Sequence, residues 1–115
     1  MRIEVLYIEG CPYRQSAVAC VQHVLREENI SAELVEANVS QESAARELRF
    51  LGSPTIRVNG LDVEPEARAS REYGIMCRTY VVNGQRVGLP SREMVRQAIC
   101  EARSGSSTKA PACES

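Results

Sequence analysis

Arg2-Ile3-Glu4-Val5-Leu6-Tyr7-Ile8-Glu9-Gly10-Cys11-Pro12-Tyr13-Arg14 holds a strand, a break and the start of a helix. Ile3, Val5 and Tyr7 alternate with Glu4, Leu6 and Ile8, so apolar side chains fall on both parities. A strand of that pattern, Arg2 to Ile8, is expected to be covered on both faces. Glu9-Gly10-Cys11-Pro12 ends it. Pro12 suits the first helical position, where a missing N–H costs nothing. From there to about Glu28, Ala17, Val18, Val21, Val24 and Leu25 recur at helical spacing. Gln15, Gln22, Arg26 and Glu27 take the other face.

Further along the chain, Ile30 to Ala37 alternates again and reads as a second strand. Ser40 and Ser43 can cap a short helix from Gln41 to about Phe50, closing at Gly52. Two strands joined by a helix of this length make a right-handed βαβ unit with parallel strands. Thr55-Ile56-Arg57-Val58 is β-branched, Asn59-Gly60 is a hairpin turn, and Leu61 to Val63 is the return, ended by Pro65. The stretch Glu64 to Met76 has no clear period, and its charges (Glu64, Glu66, Arg68, Arg71, Glu72) read as a solvated face. Arg78 to Val82, Asn83-Gly84 and Gln85 to Val87 form a second hairpin. Pro90-Ser91 opens a last helix carrying Met94, Val95, Ala98, Ile99 and Ala102. Residues 1–103 are thus expected to form one domain. The Ser/Gly-rich 104–115 segment is expected to be a disordered tail.

The chain has 115 residues, 43% hydrophobic and 25% charged, enough for a single core. Fourteen basic residues against fifteen acidic ones give a net charge of -1, which argues against a nucleic-acid partner. No apolar run is long enough to span a bilayer, and the charged start is unlike a signal peptide. A cytoplasmic protein is expected, with no membrane partner. Five cysteines (Cys11, Cys20, Cys77, Cys100, Cys113) and one histidine, His23, match neither a disulfide framework nor a metal-ligand spacing. No resident metal or other cofactor is called for.

Cys11 is the cysteine with the clearest chemistry. A thiol just before a helix faces unpaired backbone N–H groups and the positive end of the helix dipole, both of which favour the thiolate. Arg14, one turn in, adds a cation. Cys20 falls half a turn out of phase with Cys11 on the same helix and reads as packing, as does Cys100. His23 reads as a surface residue. Cys113, on the tail, is within reach of Cys11 as a tethered thiol, although a tail cysteine with no role is the plainer reading. Tyr13 and Tyr80 suit either a substrate groove or packing.

The order βα, βα, hairpin and closing helix, with Cys-Pro at the first strand-to-helix turn, resembles the thioredoxin-like superfamily over roughly residues 2 to 103. Cys11-Pro12-Tyr13-Arg14 is similar to the glutaredoxin Cys-Pro-Tyr-Cys with its fourth position replaced, and Ser53-Pro54-Thr55 is similar to the superfamily's cis-proline segment facing the reactive cysteine. The resemblance implies an α/β fold with a central mixed sheet flanked by helices, and a cis Pro54. It also implies a site of Cys11, Pro12, Tyr13, Arg14, Ser53, Pro54 and Thr55 acting on protein or small-molecule thiols and disulfides. The departure matters: Arg14 is not a thiol, so a second cysteine must come from elsewhere. Cys77, with Arg78 beside it, reaches the site if Leu61–Val63 returns antiparallel to the preceding strand. It starts at the opposite end if Arg78–Val82 is the main fourth strand.

Three functions fit this reading. One is a thiol redox protein in which the Cys11 thiolate attacks a disulfide and Cys77, or an external thiol, releases the product. In it, Pro54 and the Thr55 backbone hold an extended substrate segment. Another is soft-metal or organomercury handling through Cys11 and Cys77, since soft ions prefer thiolates. The segments Gly52-Ser53-Pro54-Thr55, Asp62-Val63-Glu64-Pro65 and Cys77-Arg78 are similar to small bacterial thioredoxin-like proteins labelled alkylmercury lyase-like. There Asp62 or Glu64 would supply the proton. The last is a non-catalytic thioredoxin-like binding module.

Overall fold

The structure, a computed structural model, describes residues 1–104. Six strands and three helices follow in the order β1 (Arg2–Tyr7), α1 (Arg14–Glu27), β2 (Glu33–Asn38), α2 (Glu42–Glu47), β3 (Thr55–Val58), β4 (Leu61–Asp62), β5 (Tyr80–Val82), β6 (Gln85–Val87) and α3 (Arg92–Ser104). A 3-10 turn, Pro65–Ala67, lies between β4 and β5. Of the tail expected at 104–115, Ser104 closes α3, and the rest, Cys113 included, lies outside the described residues.

The main sheet runs β2-β1-β3-β4. β1 and β2 are parallel, with Ile3 opposite Leu34, and β3 is antiparallel to β1, with Val5 opposite Ile56. The arrangement is a mixed α/β sheet with helices, compatible with the thioredoxin-like architecture that the sequence resembles. β1 is central, and its two parities feed two cores. Ile3 and Val5 pack with Ala17, Val21 and Val24 of α1 and with Val95 and Ile99 of α3. Leu6 points the other way, to Val39, Ala45 and Phe50 around α2. That double burial is why β1 shows no simple alternation.

Two hairpins turn on Asn-Gly pairs whose residues all have positive φ, the geometry a tight type I′ turn demands. The first joins β3 to β4 within the main sheet. The second, β5–β6, is a separate two-stranded sheet. β4 does return antiparallel to β3, and Val63 N–H extends the pairing to Ile56 O at 3.0 Å. The chain therefore re-emerges at the end of the sheet where β1 finishes. The alternative, a main fourth strand over 78–82, is not formed.

Helix ends differ from expectation for local reasons. α1 starts at Arg14, two residues later than the proline suggests. Arg14 N–H bonds Cys11 O at 3.4 Å, and Tyr13 has φ −104° and ψ 2°. Those are the marks of a type I turn with proline at its second position, the other site where a fixed φ is welcome. α2 is not capped by Ser40 or Ser43: Gln41 is its N-cap and no side chain caps it. It ends early because Arg49 turns left-handed, with φ 56°, and Phe50 N–H closes on Ala45 O at 2.8 Å. α3 is capped as the sequence suggests, Ser91 Oγ accepting from Met94 N–H at 3.0 Å.

Candidate functional site

The turn after β1 sets Cys11. Gly10 takes φ +80°, Cys11 N–H bonds Ile8 O at 3.2 Å, and the Cys11 thiol is partly exposed. It opens on a surface cleft lined by Tyr7, Glu9, Pro12, Arg14 and Asn38. Arg14 lines that cleft without being a free cation. Its guanidinium lies 3.9 Å above the Tyr7 ring and pairs with Glu36 of β2 at 3.0 Å. Tyr13, 43% exposed, covers Gly88 so closely that a Cβ there would stand 2.5 Å from its ring. The loop between β6 and α3 is thereby seated against the Cys11 turn.

Ile8 links this turn to the Pro54 segment, because its N–H donates to Ser53 Oγ at 3.0 Å. The Ser53–Pro54 peptide bond is cis. Ser53, Pro54 and Thr55 are all buried, and the Ser53 backbone is already in use. Ser53 N–H donates to Met76 O at 2.8 Å, and Ser53 O accepts from Arg78 N–H at 3.0 Å. These bonds make Cys77 the parallel bridge partner of Ser53. The strap 74–78 is also tied by Gly74 N–H to Phe50 O at 3.1 Å and by Ile75 N–H to Glu42 Oε2 at 3.3 Å. Along the Ser53 edge, which the resemblance assigns to an extended substrate, the chain has laid its own segment, and Cys77 upon it is exposed.

Arg78 anchors the strap from below. Its side chain is 2% exposed and bonds Asp62 through both terminal nitrogens at 2.6 and 2.8 Å and Glu64 at 3.2 Å. It also lies 4.1 Å from the Tyr80 ring centre. Burial pulls this guanidinium down, but the hydrogen bonds it donates to Asp62 help to outweigh it, and its pKa is held above the ordinary value. Glu64 Oε2 accepts Val81 N–H at 2.9 Å, and Tyr80 O–H donates to Pro54 O at 2.6 Å. Burial pushes the Tyr80 phenol well up.

The sequence reading missed this network and treated Glu64 as solvated, whereas Glu64 is buried. A signal was available: Glu64 follows Asp62 by two residues in extended backbone just past β4, so both carboxylates face one side. A cation had to meet them there. Tyr80 proves to be packing, fully buried in the main core. Arg78, expected to contact substrate, has its guanidinium enclosed by carboxylates.

Cys20 is half-buried against the α1–α3 core, and burial raises its thiol, with Arg92 and Arg96 opposing. Cys100 is 5% exposed in α3. His23 pairs at the surface with Glu27 at 3.1 Å. Among the described residues no group of three or more His, Cys, Asp or Glu could hold a metal ion, and no helix is long and apolar enough to cross a membrane.

Fold and site together define a small α/β protein with two free thiols at one end of a mixed sheet. The chain belongs to the family described as a domain of unknown function, DUF2703, which matches residues 14–99. That span takes in Ser53–Thr55 and Cys77 and begins just past Cys11. No curated protein and no solved structure matches the chain.

Proposed function

We propose that this is a thioredoxin-like thiol redox protein with Cys11 as its attacking thiol and Cys77 as a second, strap-borne thiol. The observation that carries the reading is the bridge of Cys77 to Ser53. Ser53 Oγ is held by the Ile8 N–H, and Ile8 O holds the Cys11 N–H. Two free thiols thus flank one backbone junction. In the reaction, the Cys11 thiolate attacks one sulfur of a disulfide. A Cys11 mixed disulfide forms and the other sulfur leaves as a thiolate, taking a proton from water. Cys77, as thiolate, then attacks the Cys11 sulfur and releases the second product thiol. The substrate gains two electrons, and the protein ends as a Cys11–Cys77 disulfide, restored by an external dithiol.

Because the strap fills the Ser53 edge, the substrates favoured are small disulfides rather than extended peptides. Soft-metal or organomercury handling through the same pair is less well supported. Asp62 and Glu64, which would have to supply a proton, both accept from the buried Arg78. A binding module gives no use to the free thiols of Cys11 and Cys77. Replacing Cys11 by Ser should abolish reduction of a small-molecule disulfide, and replacing Cys77 by Ser should stall the protein as a Cys11 mixed disulfide. Unchanged turnover in the Cys11→Ser protein would sink the proposal.

A further inference from the structure

Away from Cys11, a pocket between the β3–β4 hairpin, the end of α2 and the 67–73 loop is lined by Arg49, Arg57 and Arg68 together with Ser70 and Tyr73. Asp62 is the one carboxylate on its wall, and both its oxygens are bonded to Arg78. Arg57 gives one hydrogen bond, from Nη2 to Arg49 O at 2.5 Å. Neither Arg49 nor Arg57 has an ion pair among the described residues. Arg68 donates to Asp62 O at 2.7 Å and is shared with Glu101 at 3.5 Å.

Gathering three guanidinium groups with so little compensation is unfavourable unless something negative joins them. We propose that this pocket binds a small oxyanion, held by the free edges of Arg49 and Arg57 and by the hydroxyls of Ser70 and Tyr73. Guanidinium forks match the paired oxygens of phosphate or carboxylate, so the ligand class follows from the donor set. Burial pulls the Arg57 guanidinium down; Glu4 and Asp62 offset part of that, and Arg78 adds to it. A bound anion would relieve the strain on that charge. The pocket shares Leu51, Ala67 and Ser70 with the cleft in which Cys77 lies, which puts the anion next to the strap. The inference stands whether or not the thiols react.

The test is a titration of the isotope-labelled full chain with inorganic phosphate at constant ionic strength, followed by amide resonances. Saturable shifts at Arg57, Leu61, Arg68 and Ser70 are expected. Arg57→Gln and Arg49→Gln should each weaken binding by about tenfold or more, while Arg26→Gln on α1 leaves it unchanged. Arg49 is exposed, so Arg49→Gln carries the test should Arg57→Gln fail to fold. A parallel titration with malonate separates sources: tighter binding of malonate identifies a carboxylate ligand, and phosphate preference identifies a phosphoryl group. Shifts that grow without saturating, or equal affinity in Arg49→Gln and Arg57→Gln, would overturn the proposal.

Discussion

At Ile8 a single residue's backbone serves both halves of the site, its carbonyl fixing Cys11 and its N–H fixing Ser53. Gly52 plays the matching role beneath the strap. It takes φ +117°, and a Cβ there would come within 3.0–3.2 Å of Arg78 Cβ, Cα and N. Gly52→Ala should therefore cost at least about 1–2 kcal/mol from the left-handed backbone alone, read in urea unfolding. It should also speed alkylation of Cys77 by loosening the strap. A stability change within error would show that the strap does not rest on Gly52. Tyr80 offers a pH test. Burial raises its phenol, so the buried neutral form supports folding fully below the unfolded tyrosine value of about 10. That support is lost as pH rises from there toward the raised folded value. Tyr80→Phe should remove this alkaline dependence while costing about 1 kcal/mol at neutral pH for the lost bond to Pro54 O. Equal alkaline loss in both proteins would assign it to other groups.

Between elements, the α1–α3 contact is laced by charge: Arg96 of α3 binds Glu27, reaches Glu28 at 3.2 Å and pairs with Glu93 at 2.8 Å. The Arg96 hydrogen bond holds the Glu27 carboxyl below the usual range, with burial opposing and His23 assisting. A lowered carboxyl stabilises above its unfolded value, and that contribution disappears as pH falls through the folded one. The melting-temperature gap between the wild type and Glu27→Gln should thus shrink on acidification, and also in high salt because the pair is exposed. A gap that widens in acid would contradict the assignment. Element order was legible because β1, α1 and the Asn-Gly hairpins carry strong local patterns. The start of α1 was not, since a proline with φ near −65° serves a turn corner as well as a helix start. Nor was the 74–78 strap: it is held by backbone bonds to Phe50 and Ser53, and such bonds leave no periodic trace in side chains. Of the site, Cys11 and Ser53–Thr55 could be read from the sequence, but the burial of Arg78 depended on a tertiary return.

For the whole molecule, the topology that makes β4 an edge strand returns the chain to the Cys11 end and sends residues 74–78 across the start of β3. The buried Asp62–Arg78–Glu64 cluster fixes that route. Breaking it with Arg78→Ala should cost about 3–5 kcal/mol, because two carboxylates lose their cation. A fully folded, equally stable variant would show that the strap is held otherwise. The pairing we propose is that of Cys11 with Cys77. Its most direct test is to oxidise the full chain with a small disulfide, alkylate the remaining thiols and map the peptides by mass. A peptide cross-linked through Cys11 and Cys77 is expected, absent in Cys11→Ser and replaced by a Cys11 mixed disulfide in Cys77→Ser. Recovery of Cys77 fully alkylated alongside an oxidised Cys11 would contradict it.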